Sequence, residues 1–160
     1  MDIQYTIGDA THPEGESPKI IVHVCNDIGG WGAGFVLAIS RRWKQPEHQY
    51  REWHRIGGPL PFELGQVQFV EVEPRLWVAN LLGQRGIRRE GGKPPVRYDA
   101  IRVGLARVAD FARKRGAGVH MPRIGCGLAG GEWSEVSRMV EEELTSREVP
   151  VTVYDLPPKD

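Results

Sequence analysis

At 160 residues and 40% hydrophobic content, the chain is long enough for one domain, spanning 1–160, whose core needs no covalent or metal staple. Lys plus Arg and Asp plus Glu each total 21, which excludes the bulk positive field that nucleic acid or an anionic membrane would need, so any anion must be bound locally. Cys25 and Cys126 have no paired spacing, and no apolar run approaches the roughly 18 residues of a membrane span, so the expectation is a soluble, monomeric, cytoplasmic protein without membrane or nucleic-acid partners.

Ile3, Tyr5 and Ile7 alternate with polar neighbours and predict a half-buried strand ending at Gly8. The β-branched run from Lys19 to Cys25 predicts a central strand, and Phe35, Ile39 and Trp43, four apart, predict a helix immediately after the loop that follows. Pro46 opens a second helix, closed by Gly57 and Gly58. Residues 67–73 and 76–82 read as a hairpin around Glu73, Pro74 and Arg75. A Gly- and Arg-rich loop (83–95) leads to a helix on which Tyr98, Ile101, Leu105, Val108 and Ala112 keep helical spacing until Gly116. A strand over 118–122, a loop, a helix with Trp133, Val136, Val140 and Leu144 inward, and a strand over 149–155 complete the chain.

Strands alternating with helices, together with a hairpin, indicate an α/β fold: a mixed sheet with helices on both faces. Ligands of such sheets bind beyond the carboxyl ends of strands, where loops enter helices. Two glycine-rich loops occupy that position, residues 26–34 and 124–131. Glycine permits a tight strand-to-helix turn, and it also lets main-chain N–H groups reach a ligand without an intervening Cβ. Both readings are open for either loop alone; a pair on one sheet edge suits a diphosphate cradle. Neither loop is a Walker P-loop or a dinucleotide fingerprint.

The segments Gly8–Ala10, His23–Phe35, His120–Trp133 and Val151–Leu156 together resemble, in order, the ligand-binding segments of a macrodomain. The pattern is most similar to the branch that holds the terminal ADP-ribose protein glycohydrolase, the yeast-type ADP-ribose 1''-phosphate phosphatase and stand-alone bacterial macrodomain proteins. The resemblance implies a three-layer α/β/α fold, ADP-ribose and mono-ADP-ribosylated proteins as partners, and neither cofactor nor metal. It implies that Asp9 and the backbone of Ala10 meet the adenine, and that Tyr154, with Leu156 nearby, packs against the adenosine. Gly32, Ala33 and Gly34 would wrap the diphosphate and distal ribose from one side, and Gly125, Cys126, Gly127 and Leu128 would supply amides from the other. Asn26 would contact the distal ribose. Trp31 would either close over that ribose or plug its own loop.

The glycohydrolase uses a lysine near the end of the hairpin's second strand and an aspartate directly after the "GCGL" element. Here those positions read Gly83, Gln84 and Arg85, and Ala129, with Lys93 farther along the loop. Asn26, Asp27 and Gln84 are the residues left to orient a water. Arg85, Arg88, Arg89 and Arg97 predict a mobile lid whose charges meet a modified protein or a terminal phosphate. Cys126 lacks a motif-linked base, and His23, inside a strand, reads as a hydrogen-bonded core residue. The expected activity is hydrolysis of mono-ADP-ribose from acidic side chains; the alternatives are an ADP-ribose 1''-phosphate phosphatase and a non-catalytic reader.

Overall fold

A computed structural model describes residues 1–158; the last two residues of the expected 1–160 domain lie outside that range. Six strands form one sheet in the order β1-β6-β5-β2-β4-β3. They are β1 (Gln4–Ile7), β2 (Lys19–Asn26), β3 (Val67–Glu73), β4 (Leu76–Gln84), β5 (Gly118–Met121) and β6 (Val151–Asp155). All neighbours run parallel except the β3–β4 hairpin, which is antiparallel with Val70 opposite Val78. The sheet is therefore mixed, as its sequence pattern predicts.

Helices α1 (Phe35–Arg42) and α2 (Gln45–Ile56) cover one face; α3 (Tyr98–Arg115) and α4 (Trp133–Glu143) cover the other. Strand β2 explains the layering. Ile20 and Val22 join Ile101, Leu105, Val136 and Val140 on the α3/α4 side, while Ile21 and Cys25 join Ile39, Tyr50 and Trp53 on the α1/α2 side. A strand buried on both faces reads as a continuous β-branched run for this reason. Pro46 sits in the first turn of α2, and Gly116 ends α3 in the left-handed conformation, φ 63°.

The first strand departs from its expected burial. Ile3 is buried, but Tyr5 is half exposed and Ile7 is 66% exposed. β1 is an edge strand, and α4 meets it through Trp133, whose Nε1 donates to the Tyr5 hydroxyl at 3.1 Å; Ile7 lies past that contact. Beyond the carboxyl ends of β2, β4 and β5 the chain opens into the two glycine-rich loops and the 83–95 loop, which places all three at one end of the sheet.

Candidate functional site

The two glycine-rich loops enclose one cleft of about 650 Å³. Asn26, Gly32, Ala33 and Gly34 come to it from the end of β2 and the entry of α1. Gly125, Gly127 and Leu128 come from beyond β5, and Gln84 from the end of β4. Arg123 is the only charged side chain lining the cleft among the described residues.

Both loops are held in shape by particular contacts. Gly29 has φ +76°, and a Cβ there would overlap the His54 imidazole. Gly125 has φ +72°, and its Cβ would lie 2.9 Å from Ile101 Cδ1. Fold alone accounts for these two glycines. Gly32 and Gly127 are different. Neither has positive φ, and a Cβ at either would meet nothing within 4 Å. The protein itself does not demand glycine at these two positions, which both line the cleft. The main-chain N–H groups of Gly32, Ala33, Gly34, Gly127 and Leu128 donate no hydrogen bond within the described residues, so five amides on the two cleft-lining loops are available to an acceptor. The Cys126 N–H is not one of them, because it donates to Arg123 O at 3.3 Å.

The first loop rests on α2. Asn26 Oδ1 accepts from the N–H groups of Ile28 (3.1 Å) and Gly30 (2.9 Å), and its Nδ2 donates to Gly30 O. The Tyr50 hydroxyl lies 2.6 Å from Asn26 O and 2.9 Å from its Oδ1, and burial pushes the ionisation of that phenol well up, so it stays a donor. Arg51 donates to Gly29 O at 3.0 Å and to Glu47. Trp31 Nε1 donates to Ser40 Oγ at 2.7 Å, and that hydroxyl donates to Glu47. Trp31 lines the cleft at its edge, but it is 3% exposed and packs on Tyr50 and His23, so most of its ring fills its own loop.

Of the other expected site residues, Asn26 and Gln84 line this cleft and Asp27, Asp9, Ala10 and Tyr154 do not. Asp27 is not on the cleft lining; its Oδ1 accepts from Gly86 N–H at 2.8 Å and its own N–H donates to Gln84 O, stapling the first loop to the 83–95 loop. Gln84 lines the cleft, with its Nε2 donating to Gly86 O. The Asn26 side chain is occupied in loop hydrogen bonds. Asp9 caps its own turn through Thr11 N–H and Oγ, both at 2.8 Å. Burial works against its charge, but these bonds and His12 hold its carboxyl below the usual range. Ala10 is buried, and neither Asp9 nor Ala10 reaches the cleft lining. The Tyr154 ring packs under Gly8, and its hydroxyl accepts from Glu14 N–H (2.9 Å) and bonds His120 Nδ1 (2.8 Å). It supports the turn that carries Asp9. Leu156 is 73% exposed.

Cys126 is half-buried, and its thiol donates to Ile124 O; burial pushes its pKa up to about 11, and no base partners it. His23 is 2% exposed, and burial lowers its pKa to about 4. The Asn80 amide donates to Pro46 O and Gln68 Oε1, so its Oδ1 faces His23 Nε2 at 2.6 Å and fixes the proton there. His23 is a neutral core residue. Arg97 turns away from the mouth and donates to the carbonyls of Pro94, Pro95 and Val96.

Arg123 escapes the sequence reading. Its guanidinium forks onto Asp155 at 2.8 and 3.0 Å and lies 5.4 Å from the rings of both Tyr5 and Trp133. Its place at the head of the second glycine-rich loop was the available signal.

No family model matches the chain. It is 36% identical to the ADP-ribose glycohydrolase OARD1 of Bos taurus over 156 residues, which is 96% of this chain and 91% of that protein. The solved macrodomain protein of Streptomyces coelicolor is 56% identical, with a TM-score of 0.86 over 96% of this chain and 99% of that one. The chain belongs to the macrodomain family. This macrodomain is also 31% identical to the chromodomain-helicase-DNA-binding protein 1-like of Danio rerio over 162 residues, but the match spans only 15% of that protein's length. Two of the four segments that carry the family resemblance line the cleft, through Asn26, Gly32–Gly34, Gly125, Gly127 and Leu128.

Proposed function

We propose that this macrodomain binds ADP-ribose in the cleft and releases mono-ADP-ribose from acidic side chains of modified proteins. One observation carries the reading: five unoccupied amides, on two loops, line one cleft where Gly32 and Gly127 leave open space that no protein atom fills. A pyrophosphate is the anion that such a cradle suits, since amides grip it without a lysine and each charge-assisted bond contributes roughly 1.5–3 kcal/mol. Similarity to an ADP-ribose glycohydrolase over nearly the whole chain supports the same ligand.

The bond broken is the ester between an acceptor carboxylate and the anomeric carbon of the distal ribose. Water adds its oxygen to that carbon, the acceptor leaves as a carboxylate, and the released proton goes to solvent. The leaving group is good and the transition state resembles an oxocarbenium ion, so holding ribose, water and pyrophosphate in register supplies much of the rate. Gln84, at the end of β4, is the cleft-lining polar side chain we assign to orienting the water; Asn26 and Asp27 act through the loop they brace.

No carboxylate lines the cleft among the described residues, and this favours a second reading, a reader that holds ADP-ribose without turnover. An acceptor protein carrying labelled ADP-ribose on glutamate separates them. Hydrolysis releases free ADP-ribose and strips the label. Retained label with micromolar ADP-ribose binding leaves the reader, and phosphate release from ADP-ribose 1''-phosphate would instead make the protein a phosphatase.

A further inference from the structure

We propose that the projection formed by residues 84–95 is an acceptor-binding surface that selects ADP-ribose carried on an acidic polypeptide segment. The inference rests on the nucleotide reading above and names the partner at the mouth of that same cleft.

Arg85, Arg88, Arg89 and Lys93 lie within nine residues, and all four are exposed. None forms an ion pair among the described residues, whereas seven arginines elsewhere each face a carboxylate. In a chain of zero formal net charge this is a local excess, opposed on the loop only by Glu90. The cations stand on a built projection. Arg85 N–H donates to Pro95 O at 2.8 Å, Glu90 and Lys93 exchange backbone hydrogen bonds of 3.0 and 2.9 Å, and the Arg89 guanidinium closes the tip on Gly92 O at 2.8 Å. Its base is fixed to both glycine-rich loops, through Gly86 N–H to Asp27 and through Val96 N–H to Ala129 O at 3.0 Å.

Two aliphatic side chains mark where the acceptor leaves the cleft. Ile87 on the projection is 57% exposed and Leu128 on the second loop is 70% exposed, yet both line the cleft. A polypeptide emerging past them meets apolar contact first and guanidinium groups next, and guanidinium forks match carboxylates. Nucleic acid fits this surface less well. Residues 83–97 contain no aromatic side chain on which a base could stack, and the cations occupy one short projection instead of a track along a strand.

The test uses two peptides that each carry one ADP-ribose on a hydrolysis-resistant linkage, one flanked by Asp and Glu, the other by Ser and Ala. Affinities are read by fluorescence anisotropy beside calorimetry of free ADP-ribose. The acidic peptide is expected to bind roughly three- to tenfold tighter than the neutral one, the sum of a few exposed charge contacts. That advantage disappears at about 0.5 M salt, where the Debye length falls to a few ångströms. It disappears also in the Arg85→Ala/Arg88→Ala/Arg89→Ala variant, which keeps free ADP-ribose affinity because none of the three lines the cleft. Equal affinity for the two peptides, or a preference that survives in the triple variant, overturns the proposal. So does tighter binding of an ADP-ribosylated oligonucleotide than of the acidic peptide. Failure of the wild type to bind free ADP-ribose would remove the nucleotide reading and this inference with it, an outcome distinct from equal peptide affinities.

Discussion

Replacing Gly127 with glutamate separates the cradle from the fold. The backbone there is not in the left-handed region and the space around its Cβ is open, so the variant folds without strain or clash. A Gly→X change at such a site restricts the unfolded chain and adds roughly 0.4–1 kcal/mol of stability. Binding moves the opposite way. A carboxylate held about 5 Å from one pyrophosphate charge, at an effective dielectric of about 20, is repelled by about 3 kcal/mol, which corresponds to roughly two decades in affinity before any steric exclusion is counted. Gly127→Ala places one methyl group in the same space and costs less, of the order of tenfold. The assay is calorimetric titration with ADP-ribose beside a thermal melt of each variant. Affinity of Gly127→Glu within threefold of wild type, with a melting temperature at or above that of wild type, would refute the reasoning, because the open space at Gly127 would then not be where the pyrophosphate lies.

Cys126→Ala should leave label release from a glutamate-modified acceptor largely intact, since a thiol titrating at about 11 and bonded to Ile124 O is not a nucleophile at neutral pH; abolished turnover would reverse that assignment. Tyr50→Phe removes the hydroxyl that clamps Asn26 and should weaken ADP-ribose binding about tenfold while costing about 1 kcal/mol in urea unfolding; unchanged affinity would show that the first loop needs no brace from α2. His23 and His120 both have pKa values lowered from 6.5 to about 4, chiefly by burial, so they stay neutral in the native state while the unfolded chain takes up protons. Their contribution is therefore constant above pH 6.5 and is lost as pH falls from about 6.5 to about 4, by up to about 3 kcal/mol each. Urea midpoints at pH 7 and pH 4.5 should differ accordingly, and equal midpoints would contradict neutral buried imidazoles. Asp27→Ala frees Gly86 N–H and should speed proteolysis within 84–95, with the hairpin β3–β4 still protected.

Much of the fold was legible because its signals are local. The β2 run, the four-residue spacing in α1, the alternating three- and four-residue spacing in α3, Pro46 and Gly116 each act within a turn or two of their own position, and each marks the element that forms. The cleft was legible for a related reason: glycine clustering after two strands leaves a mark in composition, and sheet topology brings the two clusters together. What escaped depends on contacts across long stretches of chain. Tyr50 reaches Asn26 over 24 residues, Arg123 reaches Asp155 over 32, and Asp27 reaches Gly86 over 59, none with a periodic trace. The family resemblance implied Asn26 and Tyr154 at the ligand, and Asp27 was a candidate to orient a water. Each also bonds neighbouring protein groups that a linear reading does not show, and of the three only Asn26 lines the cleft. Ile7 shows the same limit for packing, since alternation predicts which face it takes but not where α4 stops covering that face.

Whether main-chain amides of two convergent loops grip the pyrophosphate is read by following backbone amide resonances of the isotopically labelled protein as ADP-ribose is added. The largest shifts are expected at Gly32, Ala33, Gly34, Gly127 and Leu128, with the Cys126 amide, which already donates to Arg123 O, moving less. A titration that leaves those five amides in place, or concentrates its shifts on another face of the sheet, would contradict it.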